Sequence, residues 1–402
     1  MVGDPFWQYL TTPDGEHWLP TFRLIYYCLI RLVGENHDRF VLINSLLTGI
    51  NAVLLYLFLR RHVSIEPAAL ISLFYSACII HVSTIWHSFN ICCILGFGFF
   101  LGALLLTDSY LKKPSFGYLL ALGLFAWLSL TSYGISLMAL SCIPLYGLLL
   151  GGADVRGILW RLSATIGLVF LSFTGGYLYF AGINAASSHN KQILSQLPGF
   201  DYLVNWIFGA FLFPTAYLHG GGSRHGKTAI FAVMLLGAAL AIILLRGEAR
   251  EKRLGVWVLM LNALTFLPVA LARYKLGIYQ AASERYAIFT IMSILILFSL
   301  AWQTLSRQML RPKLTWLLLA VFLAFMVKGQ INRVPEQRQF YENASAVALS
   351  CYQQLQVDNR ESPGGRSEEG QKLFCPLFNA HVTKAQAIKV KRFLQSIKPD
   401  HG

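Results

Sequence analysis

The chain has 402 residues, of which 55% are hydrophobic and 13% charged, with a net charge of +14 and a mean hydropathy of +0.54. A soluble domain carries about 25% charged residues, so the composition excludes an ordinary water-soluble enzyme. The Lys and Arg residues are spread over connecting segments and not gathered on one domain, which points away from nucleic acid and toward topology signals and anionic lipid head groups.

The chain opens with Gly3-Asp4-Pro5-Phe6-Trp7 and Asp14-Gly15-Glu16-His17-Trp18-Leu19-Pro20, which place Asp4, Asp14, Glu16 and His17 among aromatics just ahead of a long apolar region. Ionisable groups so close to lipid are expensive, and a chain keeps them there mainly for a site. On the residues alone, Asp14-Gly15 also reads as a turn, with Glu16 and His17 solvated. Leu19 to Val33 is mostly apolar, with Arg23 and Arg31 eight residues apart on one side of a helix that Pro20 is suited to start. This spacing predicts an amphipathic helix lying in the membrane interface; the competing reading is a first, tilted span.

Apolar runs then predict ten transmembrane helices, near 41–59, 67–86, 90–107, 116–131, 134–150, 162–182, 228–245, 254–272, 286–302 and 314–328. Residues 116–150 taken as one helix would extend about 50 Å, against a hydrocarbon core of about 30 Å. A split at Thr131-Ser132-Tyr133-Gly134 resolves this. It also lets the basic clusters alternate: Arg60-Arg61, Lys112-Lys113, Arg156 with Arg161, Arg246 to Arg253, and Arg307 with Arg311 and Lys313 all fall on one side. By the positive-inside rule that side is cytoplasmic. The front stretch, the loops 183–227 and 273–285 and the tail from 329 then lie outside. A chain that begins outside without a signal peptide is expected to have a transmembrane helix upstream of Met1. The organisation is therefore an outer segment 1–40 with an interfacial helix, a transmembrane domain 41–328 and an extracytoplasmic appendage 329–402.

Several features invite sharper readings. Asn44 and Asn51, a heptad apart in the first span, read as hydrogen bonds to a neighbouring helix. His81 and His87 have poor spacing for one helical face and no nearby carboxylate, so they predict polar contacts at the membrane boundary and no metal. The segment 202–218 is apolar, but a crossing there would invert every later loop, so an interfacial or re-entrant piece broken at Pro214 is expected. Gly221 to Thr228 satisfies the G-x-x-x-x-G-K-[ST] pattern but lacks the preceding strand of a nucleotide-binding loop, and reads as a Gly-rich outer loop. Cys28, Cys78, Cys92, Cys93 and Cys142 behave as small hydrophobes, whereas Cys351 and Cys375 in the outer tail are expected to pair. The tail itself carries helix-like stretches around 335–357 and 383–397 and reads as a small appendage for docking a partner protein or acceptor.

The order of Asp4, then Glu16-His17-Trp18-Leu19-Pro20, an interfacial helix, a Gly-containing turn and an Asn-bearing span resembles the first outer loop of the GT-C superfamily. These are polytopic glycosyltransferases that use lipid-phosphate sugars, including the protein O-mannosyltransferase type. Glu284-Arg285-Tyr286, opening a late span, is similar to an element of the bacterial branch. The resemblance covers roughly residues 1–328 and implies an all-α polytopic membrane fold of about ten transmembrane helices. It also implies transfer of a sugar from a polyprenyl-phosphate donor on the extracytoplasmic face of a bacterial inner membrane, with no cofactor and no divalent metal.

It nominates Asp4 as the catalytic base, with Glu16 and Asp14 as neighbouring acids and His17 orienting them. Arg285, Arg273 and Lys275 would meet the donor phosphate, Glu284 would orient Arg285, and Tyr286 would suit sugar stacking or the interfacial belt. Two departures stand out. A single acid occupies Gly3-Asp4 where relatives often carry a pair, and Ser132-Tyr133 replaces a Lys-Glu pair. A catalytically degenerate scaffold or assembly subunit is the alternative they suggest.

Overall fold

The computed structural model describes residues 6–11, 18–34, 37–78, 81, 85, 90–151, 155–181, 204, 206–218, 226–273, 284–308, 321, 324, 327–328, 331, 335, 373–375 and 380–382. Helices α1 (Phe6–Thr11), α2 (Pro20–Val33) and α3 (His37–Leu59) are followed by α4 (Ile65–Ala77), α5 (Ile91–Lys112), α6 (Phe116–Ser132), α7 (Ser136–Leu150) and α8 (Val155–Ala181). A π-helical turn, Phe208–Leu212, runs into α9 (Phe213–Leu218), and α10 (Gly226–Arg246), α11 (Ala249–Arg273) and α12 (Glu284–Gln308) complete the bundle. Strands β1 (Leu373–Cys375) and β2 (Ala380–Val382) pair antiparallel with Phe374 opposite His381.

Among the described residues, four helical stretches are long and apolar enough to cross a membrane: Asp38–Leu59, Ile91–Lys112, Val155–Phe180 and Ala287–Arg307. Their surroundings divide them. The span in α12 is 83% buried and the one in α8 only 22%, so α12 is central and α8 peripheral. Peripheral helices show apolar stripes at helical spacing, such as Leu42, Leu46, Ile50, Val53 and Leu57 on α3 and Phe116, Leu120 and Leu124 on α6. Water would penalise such continuous exposure, whereas lipid does not.

The local signals act as expected at several joints. Pro20 occupies the first turn of α2, and Gly34 ends it at φ 70°, a conformation that favours glycine. The expected split of 116–150 is present: α6 stops at Ser132, Tyr133 is extended, and α7 begins at Ser136. Asn44 and Asn51 each donate across to another segment, Nδ2 to Ile85 O at 3.0 Å and to Ile94 O at 2.9 Å. Gly98 accommodates Asn51, because a Cβ there would collide with its amide oxygen.

Three expectations need correction. The span placed at 67–86 is interrupted, because α4 ends at Ala77 and Cys78 is extended. The helix at Pro214 is not broken. The wider π turn just before it, in which Phe213 N–H bonds to Phe208 O, absorbs the missing donor, and the chain stays helical to Leu218. The appendage also contains a strand pair at 373–382 that the helix-like reading of the tail omitted. The pairing of Cys351 with Cys375, the span at 314–328 and most of the two tail helices lie outside the described residues.

Candidate functional site

The bundle has two chemically distinct ends, and the first is the basic one. Arg61 Nη1, in the turn after α3, donates to Leu105 O at 2.7 Å, to Ser109 Oγ at 3.2 Å and to Asp108 Oδ2 at 3.3 Å. Tyr146 OH donates to Asp108 Oδ1 at 2.6 Å and stands 2.9 Å from His62 Nε2. A hydroxyl has one proton, and Asp108 takes it, so His62 Nε2 must carry the hydrogen and donate to Tyr146. Burial holds the His62 pKa down to about 4 against the raising effect of Asp108, so the ring is neutral at physiological pH.

Further bonds tie the other basic turns to the same end. Arg250 Nη2 donates to Arg61 O at 3.4 Å, Arg253 Nη1 to Leu149 O at 3.5 Å and Arg161 Nη1 to Tyr110 OH at 3.4 Å. Arg307 pairs with Glu248 and Glu251, and Thr304 Oγ1 donates to Glu251 at 3.0 Å. The basic clusters that the described residues include thus gather at one end of the bundle.

The second end carries Trp18, Leu19 and α2. Trp18 and Leu19 are buried, and the Trp18 ring packs against Trp127, Phe173 and Phe180 with centroids 5.6 to 6.1 Å away. Gly176 makes room, since a Cβ there would collide with the indole. Thr131 Oγ1 donates to Trp127 O at 2.6 Å, so Thr21 is the donor in the 2.7 Å contact between Thr21 and Thr131. These contacts seat α2 at the end of α6 that faces away from Lys112-Lys113. Phe6 rests on Tyr27 at 5.0 Å, which fastens α1 to α2.

Helix direction places several of the sequence-nominated residues at this end. α11 starts at the basic end, so Arg273 closes it at the opposite one. α12 runs the other way, so Glu284, Arg285 and Tyr286 open it there. The side chains of these four, and Asp4, Asp14, Glu16, His17 and Lys275 altogether, lie outside the described residues. Gly226 to Thr228 form the first residues of α10, and the described element before them, α9, is helical where a nucleotide-binding loop needs a strand. His81 is buried edge-on to Tyr75 at 4.6 Å. Among the described residues no three His, Cys, Asp or Glu side chains are grouped to hold a metal.

Between the two ends the structure reveals a feature that the apolar patterning concealed. Asn262 and Thr265 on α11, and Ser132 and Ser136 flanking the α6–α7 turn, are at most 1% exposed, and their side-chain polar atoms have no hydrogen-bond partner among the described residues. The π turn lies beside them: Trp206 Nε1 donates to Ala263 O at 2.8 Å, and Gly209 abuts the Phe266 ring so closely that a Cβ would collide. Ile135, in the turn, packs with Ala210, Phe266, Val269 and Ala270. Trp206 and the π turn Phe208–Leu212 therefore lie against the half of α11 that is remote from its basic start. A lone Asn in an apolar run was the sequence signal for this cluster.

The class that the described residues define is a helical protein with four helices long and apolar enough to cross a membrane. No protein-family model matches the chain, and no curated protein matches it.

Proposed function

We propose that this protein is an integral membrane glycosyltransferase that moves a sugar from a polyprenyl-phosphate donor to an acceptor on the side opposite its basic turns. In this reading about ten helices cross a bacterial inner membrane, the basic end faces the cytoplasm, and the front stretch faces the periplasm or exterior. The supporting observation is the segregation of chemistry. The basic turns are bound to one another at one end, while Trp18 fastens the start of α2 at the other.

The residues then divide the work. Asp4 takes the acceptor proton as the sugar–phosphate bond loosens, with Glu16 and Asp14 as neighbouring acids and His17 orienting them. Arg285, Arg273 and Lys275 supply fixed positive charge for the departing lipid phosphate, Glu284 holds Arg285, and Tyr286 offers a ring to the sugar. No metal or cofactor is called for, since the leaving group is already a phosphate met by cations. Membrane lipids are the surrounding partner, and the tail is the surface for a partner protein.

The second reading is a degenerate scaffold of the same fold. It is favoured by Tyr133, which stacks on Phe289 with a centroid distance of 6.4 Å in place of the charged pair that the resemblance leads one to expect. Substituting Asp4→Asn separates the two. Membranes bearing the wild type are expected to release polyprenyl phosphate from a panel of polyprenyl-phosphate hexoses. The variant should be slower by about 10²- to 10⁴-fold. Release no faster from wild-type membranes than from membranes lacking the protein would sink the enzymatic reading.

A further inference from the structure

The outer surface of the bundle carries a groove between α6 and α8. Both helices begin at the basic end and run parallel, side by side. Gly123 marks where they touch, since a Cβ there would lie 3.5 Å from Thr165 Cγ2. At about 100° per residue, Phe116 and Leu120 lie about 20° and 60° from Gly123 in one rotational sense. Arg161 and Leu168 lie about 40° and 60° from Thr165 in the opposite sense. On parallel helices, opposite senses bring both sets to the same side of the contact. Exposure agrees. Phe116, Leu120 and Leu168 are 65 to 79% exposed, whereas Ala126 and Leu162, turned about 60° the other way, are fully buried.

The mouth of this groove, at the basic end, is cationic. Lys113 closes α5 at the turn into α6 and is exposed. Arg161, also exposed, sits one turn before Thr165 and reaches the OH of Tyr110, a residue in the last turn of α5. Arg156 adds a charge in the first turn of α8. Neither α6 nor α8 nor the turn 113–115 contains an Asp or Glu. Asp108 of α5 is taken by Arg61 and Tyr146, and Asp154 lies outside the described residues. Positive charge therefore heads an apolar furrow, and no carboxylate among the described residues neutralises it.

We propose that the α6–α8 groove, with Lys113 and Arg161 at its mouth, binds an anionic phospholipid of the leaflet that borders the basic end. The diffuse attraction of scattered Lys and Arg for acidic lipid thereby gains one locus. The two parts of the site select the two parts of the ligand. Cations at the level of the helix ends meet a lipid phosphate, and basic pockets between membrane helices are where acidic head groups bind. The strip of Phe116, Leu120 and Leu168 continues away from the basic end and takes an acyl chain. A soluble phosphate would leave that strip bare. A zwitterionic lipid would bring an ammonium group against the cations. The occupant also suits α8, whose span is the least buried of the four and so draws the least hold from the protein itself. The site needs the chain to lie in a membrane and stands whether or not the protein is an enzyme.

The test is native mass spectrometry of the full chain in neutral detergent, titrated with phosphatidylglycerol or with phosphatidylcholine. The wild type should retain phosphatidylglycerol and release phosphatidylcholine. Lys113→Gln and Arg161→Gln should each weaken phosphatidylglycerol binding about fivefold, the factor expected of one Lys or Arg at an anionic surface. Arg60→Gln removes a charge from the same end, on α3, which packs against α4 and α5, and should bind as the wild type does. If Arg161→Gln fails to fold for want of its bond to Tyr110, Lys113→Gln carries the same expectation. An equal loss in Arg60→Gln would reduce the site to diffuse charge attraction and overturn the proposal. Equal retention of the two lipids would overturn it too, as would displacement of phosphatidylglycerol by inorganic phosphate. A dimer that excludes both lipids would place a second copy in the groove instead.

Discussion

The basic end and the outer half of the bundle differ in how far their buried polar groups are paired: among the residues named at the basic end only His62 Nδ1 lacks a partner. At the basic end Asp108 is met by Arg61 and Tyr146, and Glu251 by Thr304, Arg307 and the backbone of Glu248. In the outer half, Asn262, Thr265, Ser132 and Ser136 are equally buried and have no partner. A satisfied network rigidifies its surroundings, while an unsatisfied one is costly unless something completes it. The basic end is therefore built to hold five helices and their turns in place.

Three perturbations sharpen this contrast. The largest effect is expected from Asp108→Ala, which leaves Arg61, Tyr146 and the neutral His62 facing a gap. Loss of one partner of a buried pair costs about 3–5 kcal/mol, read as a lower unfolding midpoint in detergent. A stability close to wild type would mean that the basic end is not the anchor described here.

A pH titration gives the next effect. The folded-state pKa of His62 is about 4, below its ordinary 6.5, so the neutral ring is favoured by folding. That contribution is complete above about pH 6.5 and is lost as the pH falls toward 4, on the order of 3 kcal/mol in all. His62→Gln keeps an N–H to donate to Tyr146 but cannot titrate, so its stability should decline less over this interval. An identical decline in wild type and variant would remove His62 from the account. The smallest effect belongs to the outer half. Asn262→Leu should change stability by under about 1 kcal/mol, in the stabilising direction, despite burial as complete as that of Asp108.

The sequence exposed some of this plainly. Loop parity was readable because short turns either carry Lys and Arg or do not, and the split at Thr131-Ser132-Tyr133-Gly134 followed from length and that parity together. The Asp108–Tyr146–His62 chain was not, because its members lie 38 and 84 residues apart and meet only when α3, α5 and α7 pack. Pro214 misled because proline normally ends a helix, and only the backbone shows the π turn that accommodates it. Asn262 and Thr265 were hidden for a different reason. A single amide in an apolar run is common in membrane helices, and its significance appears only when its bonds are found missing. Trp18 belonged to a motif noted for its acids, yet its packing against α6 and α8 is what seats the start of α2.

The account turns on the claim that the two ends face opposite sides of a membrane, and cysteine labelling tests this most directly. Single cysteines would be placed at Trp7 and Lys113, both exposed, in a background with the seven native cysteines removed. Intact cells would then be treated with a membrane-impermeant maleimide. The account predicts that position 7 is labelled at once and position 113 only after permeabilisation. Labelling of both from the same side would contradict the two-ended bundle, and the reverse pattern would place the acidic front stretch and the proposed chemistry in the cytoplasm.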